Sequence, residues 1–219
     1  MAGSGRIPRW LRPAVDATMT VALLLQMVPG KMGNRLHEAT GAVFVALFVL
    51  HHALNRGWWK RLGSRSDLRS RCARLSDVVL MVCMAGAALT GILMSRSLVP
   101  VLAVPAVAHS VRPLHGTLAY VSLMTCAFHM GLHVRVVRGY LGKKGKINVP
   151  WAQPLITVAI GAWAFVRLGV AGKLAGEPSF PDGMTPLALQ LLLHLALCLP
   201  FTVAGVIIDV AAQGGKRHE

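Results

Sequence analysis

Four histidines carry the spacing that chemistry would need. His37 and His51 stand fourteen residues apart, and so do His115 and His129. Fourteen residues are two heptads, so on helices wound with a 3.5-residue repeat both members of a pair face the same neighbour. At 1.5 Å per residue they lie about 21 Å apart along the axis. Both pairs sit in apolar stretches, where ionisable side chains are rare and usually functional. If the two stretches run parallel, His37 meets His115 at one depth and His51 meets His129 at another. Two imidazoles presented to each other from different helices are the axial ligand set of a six-coordinate haem, which leaves no position open for substrate and points to outer-sphere electron transfer. The separation leaves room for two such groups, one above the other.

The surrounding residues extend this pattern. Gly41 and Ala119 follow His37 and His115 by four residues, on the same faces, where a flat ring needs close approach to the backbone. Arg35 and Arg112 lie just outside the outer pair, and Arg56 and Arg135 just beyond the inner pair. Guanidinium groups there are placed to meet haem propionates, with ordinary interfacial anchoring as the competing reading for each. His133, one turn past His129, is an alternative ligand, because eighteen residues from His115 is also an acceptable phase on a straight helix. His52 points about 100° away from His51 and reads as lipid-facing or packing. The HMGLH pair could hold zinc, but no third ligand lies nearby in sequence. His109, in an outer loop, and His194, alone in the last apolar run, read as structural, with a quinone contact as the second reading for His194. Asp16 and Arg167 read as a helix cap and a snorkelling cation, and a quinone or proton contact ranks behind both.

The elements that must hold these residues are set by composition. Of 219 residues, 54% are hydrophobic and only 14% charged, far from the soluble balance, so the bilayer is the first solvent to consider. The net charge of +15 would attract nucleic acid, but the basic residues fall between long apolar runs and form no nucleic-acid motif. Runs of about 20 apolar residues are needed to cross the hydrocarbon. Six emerge, at about 14–30, 37–55, 76–95, 114–134, 151–170 and 186–209. The first follows Arg6, Arg9 and Arg12 but no small-x-small cleavage site follows it, so it reads as a helix and not a removed signal. Seventeen of the 23 lysines and arginines fall on the side of the two termini and the loops at 56–75 and 135–150, against Lys31, Arg35, Arg96, Arg112 and Lys173 on the other. That asymmetry places both termini in the cytoplasm. Trp10, Trp58, Trp59, Tyr140 and Trp151 fall at the same interface. The outer loop at 171–185, with Pro178 and Pro181, reads as a connecting turn, with partner docking as its second reading. Cys72, Cys83, Cys126 and Cys198 are widely spaced and form no C-x-x-C-H, so a haem would be held non-covalently. No dinucleotide-binding glycine loop is present, so any NAD(P)H chemistry would belong to a partner.

The stretch LHEATGAVFVALFVLHHALNRGWW at 36–59 resembles the L-H-E-x-x-G…H-x-x-x-N-x-x-W pattern of the flavinylation-associated cytochrome family, and LHGTLAYVSLMTCAFHMGLH at 114–133 resembles its second histidine helix. These small bacterial membrane cytochromes are similar in design to ferric reductase-like transmembrane domains. The resemblance covers roughly residues 30–140 and implies a bundle with two b-type haems, working beside flavin-bearing extracytoplasmic proteins. It implies His37, His51, His115, His129 or His133 as ligands. The expectation is an all-α membrane protein, one integral membrane domain over 1–219 in the bacterial inner membrane. Its six transmembrane helices comprise a four-helix haem-binding core at 30–140 and two more helices at 150–210. It would pass electrons between the quinone pool and an extracytoplasmic partner. Two alternatives stand beside it: the cytochrome b subunit of a larger dehydrogenase or hydrogenase, and a haem-free transporter or assembly factor.

Overall fold

The computed structural model describes residues 8–57, 67–143, 147–177 and 182–214. Trp58 and Trp59, the cations Arg6, Lys60, Arg61, Arg65, Lys144, Lys146, Lys216 and Arg217, and Pro178 and Pro181 lie outside them. The described residues form helices and no strand: α1 Leu11–Gln26, α2 Pro29–Leu54, α3 Leu68–Leu93, α4 Pro105–Leu132, α5 Val134–Tyr140, α6 Ala152–Arg167, α7 Val170–Leu174 and α8 Leu187–Gly214. A single 3₁₀ turn, Pro100–Leu102, links α3 to α4.

Each of the six apolar runs folds as a helix, but they are unequal in reach. Among the described residues, Pro29–Leu54, Leu68–Leu93 and Leu187–Ala212 are long and apolar enough to cross a membrane. The α4–α5 pair makes a fourth only if its 70° bend is counted within one span. The 16 residues of α1 and of α6 extend about 24 Å at 1.5 Å per residue, short of the roughly 30 Å of hydrocarbon. Apolar side chains are exposed along the helices, among them Val43, Val49, Leu89, Leu155, Val158 and Leu192. A coat of that kind suits lipid and not water.

Local chemistry sets the helix ends. Pro29 and Pro105 open α2 and α4, where a missing N–H costs nothing. Asp67 caps α3 by accepting from the Ser70 N–H at 3.2 Å. This cap starts α3 eight residues ahead of the run at 76, so the basic stretch holding Arg69, Arg71 and Arg74 is helical. Gly33, at φ 70°, breaks the first turns of α2, and Gly169, at φ 59°, separates α6 from α7. His109, expected in a loop, is an exposed residue of α4.

Packing is uneven. α4 lies between α3 and α8 and buries Tyr120, Ser122, Leu123, Ala127, Gly131 and Leu132. α8 also packs on α6, and α1 packs on α2. In contrast, α2 buries none of its residues. The tight contacts depend on small residues, as expected where lipid supplies no hydrophobic drive between helices. A Cβ on Gly131 would strike the Thr202 carbonyl, and one on Gly205 would strike the Phe128 carbonyl, so α4 and α8 touch through two glycines. On the other side of α8, a Cβ at Gly161 would come within 2.6 Å of the Pro200 ring. Replacing Gly131 or Gly205 with alanine is expected to force α4 and α8 apart and cost about 1–3 kcal/mol. A lowered thermal midpoint of the detergent-solubilised protein, with a much smaller drop for Gly139→Ala, checks this.

Candidate functional site

Of the four spaced histidines, His37 and His115 come together, whereas His51 turns to Asp16 on α1 and it is His52 that lies within electrostatic reach of His129. The His37 and His115 rings face each other from α2 and α4 with centroids 6.4 Å apart and planes at 77°. The two rings meet edge to face from separate helices. His115 Nδ1 lies 3.0 Å from the Ala87 carbonyl and 3.0 Å from Thr90 Oγ1 on α3, which puts its proton on Nδ1 and leaves Nε2 with a lone pair. Gly91 lies against this ring, where a Cβ would be 3.5 Å from Cε1. His37 Nδ1 is buried with no hydrogen-bond partner among the described residues. An unmet polar atom of this kind costs about 1–3 kcal/mol.

His51 and His129 lie nearer the termini. His51 Nδ1 is 2.7 Å from Asp16 Oδ1 on α1, and His129 Nδ1 is 3.0 Å from Asp77 Oδ1 on α3, with Ser76 Oγ at 3.3 Å. A carboxylate on Nδ1 fixes the tautomer and aims Nε2 away, as second-shell acids do for metal-bound histidines. Thus three of the four imidazoles are oriented through Nδ1 by a neighbouring helix. Between these residues and the His37–His115 pair, an apolar slot of about 340 Å³ separates α2 from α3, lined by Phe44 and Phe48 on one wall and Met84, Ala88 and Leu89 on the other. Small-molecule sites run from about 300 to 1,000 Å³. Among the described residues no three or more His, Cys, Asp or Glu converge as a metal cage.

The flanking candidates sort differently. Gly41 turns toward α1, where a Cβ would meet Gln26 Nε2 at 3.3 Å, so the close approach it permits is between α1 and α2 and not to a ring between α2 and α4. The same Gln26 amide donates to the His37 carbonyl at 3.1 Å and to Thr40 Oγ1 at 2.9 Å. Arg135 pairs with Asp209 at 2.8 Å, a carboxylate that Arg69 also engages. Arg35, Arg56 and Arg112 are exposed and make no ion pair among the described residues; Arg112 is within electrostatic reach of His115. His133 caps α4, its ring 4.5 Å from that of His129 and within reach of Arg69 and Asp209. His52 is half-buried, edge-on to Phe48 at 4.4 Å and within electrostatic reach of Asp77 and His129, so it faces the bundle and not lipid.

Several partners were not visible in the sequence. Asp16, read there as a cap, is the acceptor for His51, and neither Asp77 nor Ser76 was singled out. Glu38, beside His37, accepts from Ser95 Oγ at 2.8 Å and from the N–H groups of Arg96, Ser97 and Leu98 at 2.9, 3.0 and 2.9 Å. It fastens α2 to the turn that follows α3. His194 is a satisfied core histidine, as its structural reading held: Nδ1 meets the Gln190 carbonyl at 2.7 Å and Nε2 the Tyr120 hydroxyl at 3.1 Å, which Lys173 Nζ also reaches at 3.1 Å. Outside the helices, Asp182 accepts from the backbone of Thr185 and Met184 ahead of α8. The Thr185 hydroxyl and these N–H groups hold its carboxyl down at about 2.

No family model, curated protein or solved structure matches the chain.

At the end of the bundle nearer the termini, Arg69 Nε donates to Asp209 at 2.5 Å and its Nη2 to the Leu132 carbonyl at 2.8 Å, while Asp209 is 2% exposed. Removing Arg69 strips a buried carboxylate of its better partner, since breaking a buried pair costs about 3–5 kcal/mol. Arg69→Met is expected to lower the thermal midpoint far more than Arg135→Met, whose side chain is 45% exposed. The comparison is read in one detergent at one pH.

Proposed function

We propose that this chain is a membrane cytochrome that holds two b-type haems, His37 and His115 binding one and His51 and His129 the other. It carries electrons across the bacterial inner membrane, between the quinone pool and an extracytoplasmic, flavin-bearing partner. The observation that carries this reading is the His37–His115 pair, two imidazoles from separate helices at 6.4 Å with one ring anchored through Nδ1. The acid-anchored imidazoles of His51 and His129 extend it to a second level. The resemblance of 36–59 and 114–133 to the flavinylation-associated cytochromes points the same way.

Bound haem supplies a centre that gains and loses one electron at each level. The chain's residues do the rest. Asp16, Asp77, Ala87 and Thr90 hold the Nδ1 protons and leave Nε2 free to ligate. Gly91 keeps the backbone of α3 close to His115. Phe44, Phe48, Met84 and Leu89 line the apolar slot between α2 and α3. His129 is the better second-level ligand than His133, because Asp77 orients it while His133 sits at the helix end beside the Arg69–Asp209 pair. The expected six crossings and the haem-binding core at 30–140 belong to this proposal, with α1 and α6 as short, tilt-intolerant spans. The basic ends of α1 and α3 and the stretch after α4 support cytoplasmic termini.

Protein purified from haem-replete cells is expected to give a b-type pyridine haemochrome with two haems per chain and a reduced-minus-oxidised difference spectrum. His37→Ala and His115→Ala should each halve the haem by emptying one level, and His51→Ala and His129→Ala should each halve it by emptying the other. A colourless wild-type protein defeats the reading. Loss of haem from His133→Ala with none from His129→Ala moves the ligand by one turn.

A further inference from the structure

Three helices each carry a stripe that runs from apolar lining to a charged clasp. On α3 it passes from Val79 through Cys72 to Arg69. On α4 it passes from Val121 through Phe128 to Leu132, and on α8 from Phe201 through Gly205 to Asp209. Steps of three, four and seven residues keep to one helix face, so the three stripes converge. Their apolar part encloses a groove of about 360 Å³ between α3, α4 and α8. They end where Arg69 Nε donates to Asp209 at 2.5 Å and its Nη2 to the Leu132 carbonyl at 2.8 Å. Arg135, near the start of α5, reaches the other Asp209 oxygen at 2.8 Å, with its side chain 45% exposed. There the chain turns 70° out of the line of α4.

We propose that this groove and clasp hold one anionic phospholipid, with an acyl chain along the apolar wall and the phosphate against Arg135 and Arg69. Two guanidiniums on a single carboxylate carry one net positive charge, and it stands at the end of a hydrocarbon-lined groove. A free anion has no use for the wall, and a neutral lipid has none for the charge. Only an acyl chain joined to a phosphate uses both. Basic pockets between membrane helices recognise phospholipid headgroups in this way. Arginine is the suited cation, since its planar N–H donors match phosphate oxygens and one guanidinium has donors beyond those given to Asp209. Asp209 is 2% exposed, so the guanidiniums lie between it and an arriving phosphate. Of the other carboxylates at this end, Asp77 pairs with His129 at 3.0 Å and Asp67 caps α3, and neither lines the groove. His133, within reach of Arg69 and Asp209, is the remaining ionisable neighbour of the clasp and adds no negative charge. The site is independent of any haem.

The test counts bound lipid by native mass spectrometry on the full-length protein in neutral detergent. It is titrated with phosphatidylglycerol, or with phosphatidylcholine of the same chains. One phosphatidylglycerol per chain is expected to be retained, in preference to phosphatidylcholine. Arg135→Gln should weaken that retention about fivefold, the worth of one cation near an anionic headgroup. Val79→Trp, which fills the groove, should lower it as well, and Arg96→Gln, exposed at the far end, should leave it unchanged. Equal retention of the two lipids overturns the proposal, as does retention unmoved by either groove variant. A loss as large from Arg96→Gln makes the effect one of overall charge and overturns the site. Inorganic phosphate that raises the thermal midpoint as much as phosphatidylglycerol makes it a site for a free anion and overturns the lipid assignment. Should Arg135→Gln fail to fold, the wild type is titrated at rising salt. Weakening of phosphatidylglycerol alone supports the proposal, and binding that ignores salt overturns it.

Discussion

An imidazole inside an apolar bundle must have both ring nitrogens accounted for, and the arrangement of this protein follows from how that is done. A donor N–H left bare in such surroundings loses a hydrogen bond it would have made to water. α1 and α3 supply the answer at three of four positions, through Asp16, Asp77 and the Ala87 carbonyl with Thr90. Once those acceptors bind Nδ1, the ring planes and the direction of Nε2 are no longer free. α1 and α3 thus act as jigs, and α2 and α4 as the bearers of the reactive nitrogens. His37 alone is left with an unmet Nδ1 among the described residues, and it stands opposite the best-anchored ring.

The uneven packing fits this division. α3, α4, α6 and α8 form the close-packed part, joined through Gly131, Gly205 and the Gly161–Pro200 contact. α2, which buries no residue, leans on α1 and is tied to the rest by polar fastenings: Glu38 to residues 95–98, Lys31 Nζ to the Gly183 carbonyl at 2.6 Å, and His51 to Asp16. The apolar slot between α2 and α3 lies on this loosely packed side.

Much of this was legible in the residues, and the reason is periodicity. The fourteen-residue intervals gave the phase and level of His37 and His115 because phase along a straight helix is a local property. The apolar runs gave six helices for the same reason. What hydropathy missed were features with no apolar signature. The first two turns of α3 carry Arg69, Arg71 and Arg74, so they look like loop, yet the Asp67 cap makes them helical. The 70° turn after Leu132 is invisible to a hydropathy window. Partnerships between distant helices were also out of reach. Nothing near Arg135 in sequence announces Asp209, and nothing near Asp16 announces His51, because those distances depend on how α1 and α8 cross their neighbours. Gly41 shows the opposite error: its four-residue offset from His37 suggested one face, but the local crossing of α1 claims it for Gln26.

The paired glycines at the α4–α8 crossing govern more than their own contact. The carbonyl of Leu132, the residue after Gly131, accepts from Arg69, and four residues past Gly205 stands Asp209, which the same guanidinium grips. Arg69 therefore spans the two helices like a gauge block set at their nearest approach. Any sliding of α8 along α4 would have to break that bracket and the backbone contact together, so the pair keeps its register as one rigid beam.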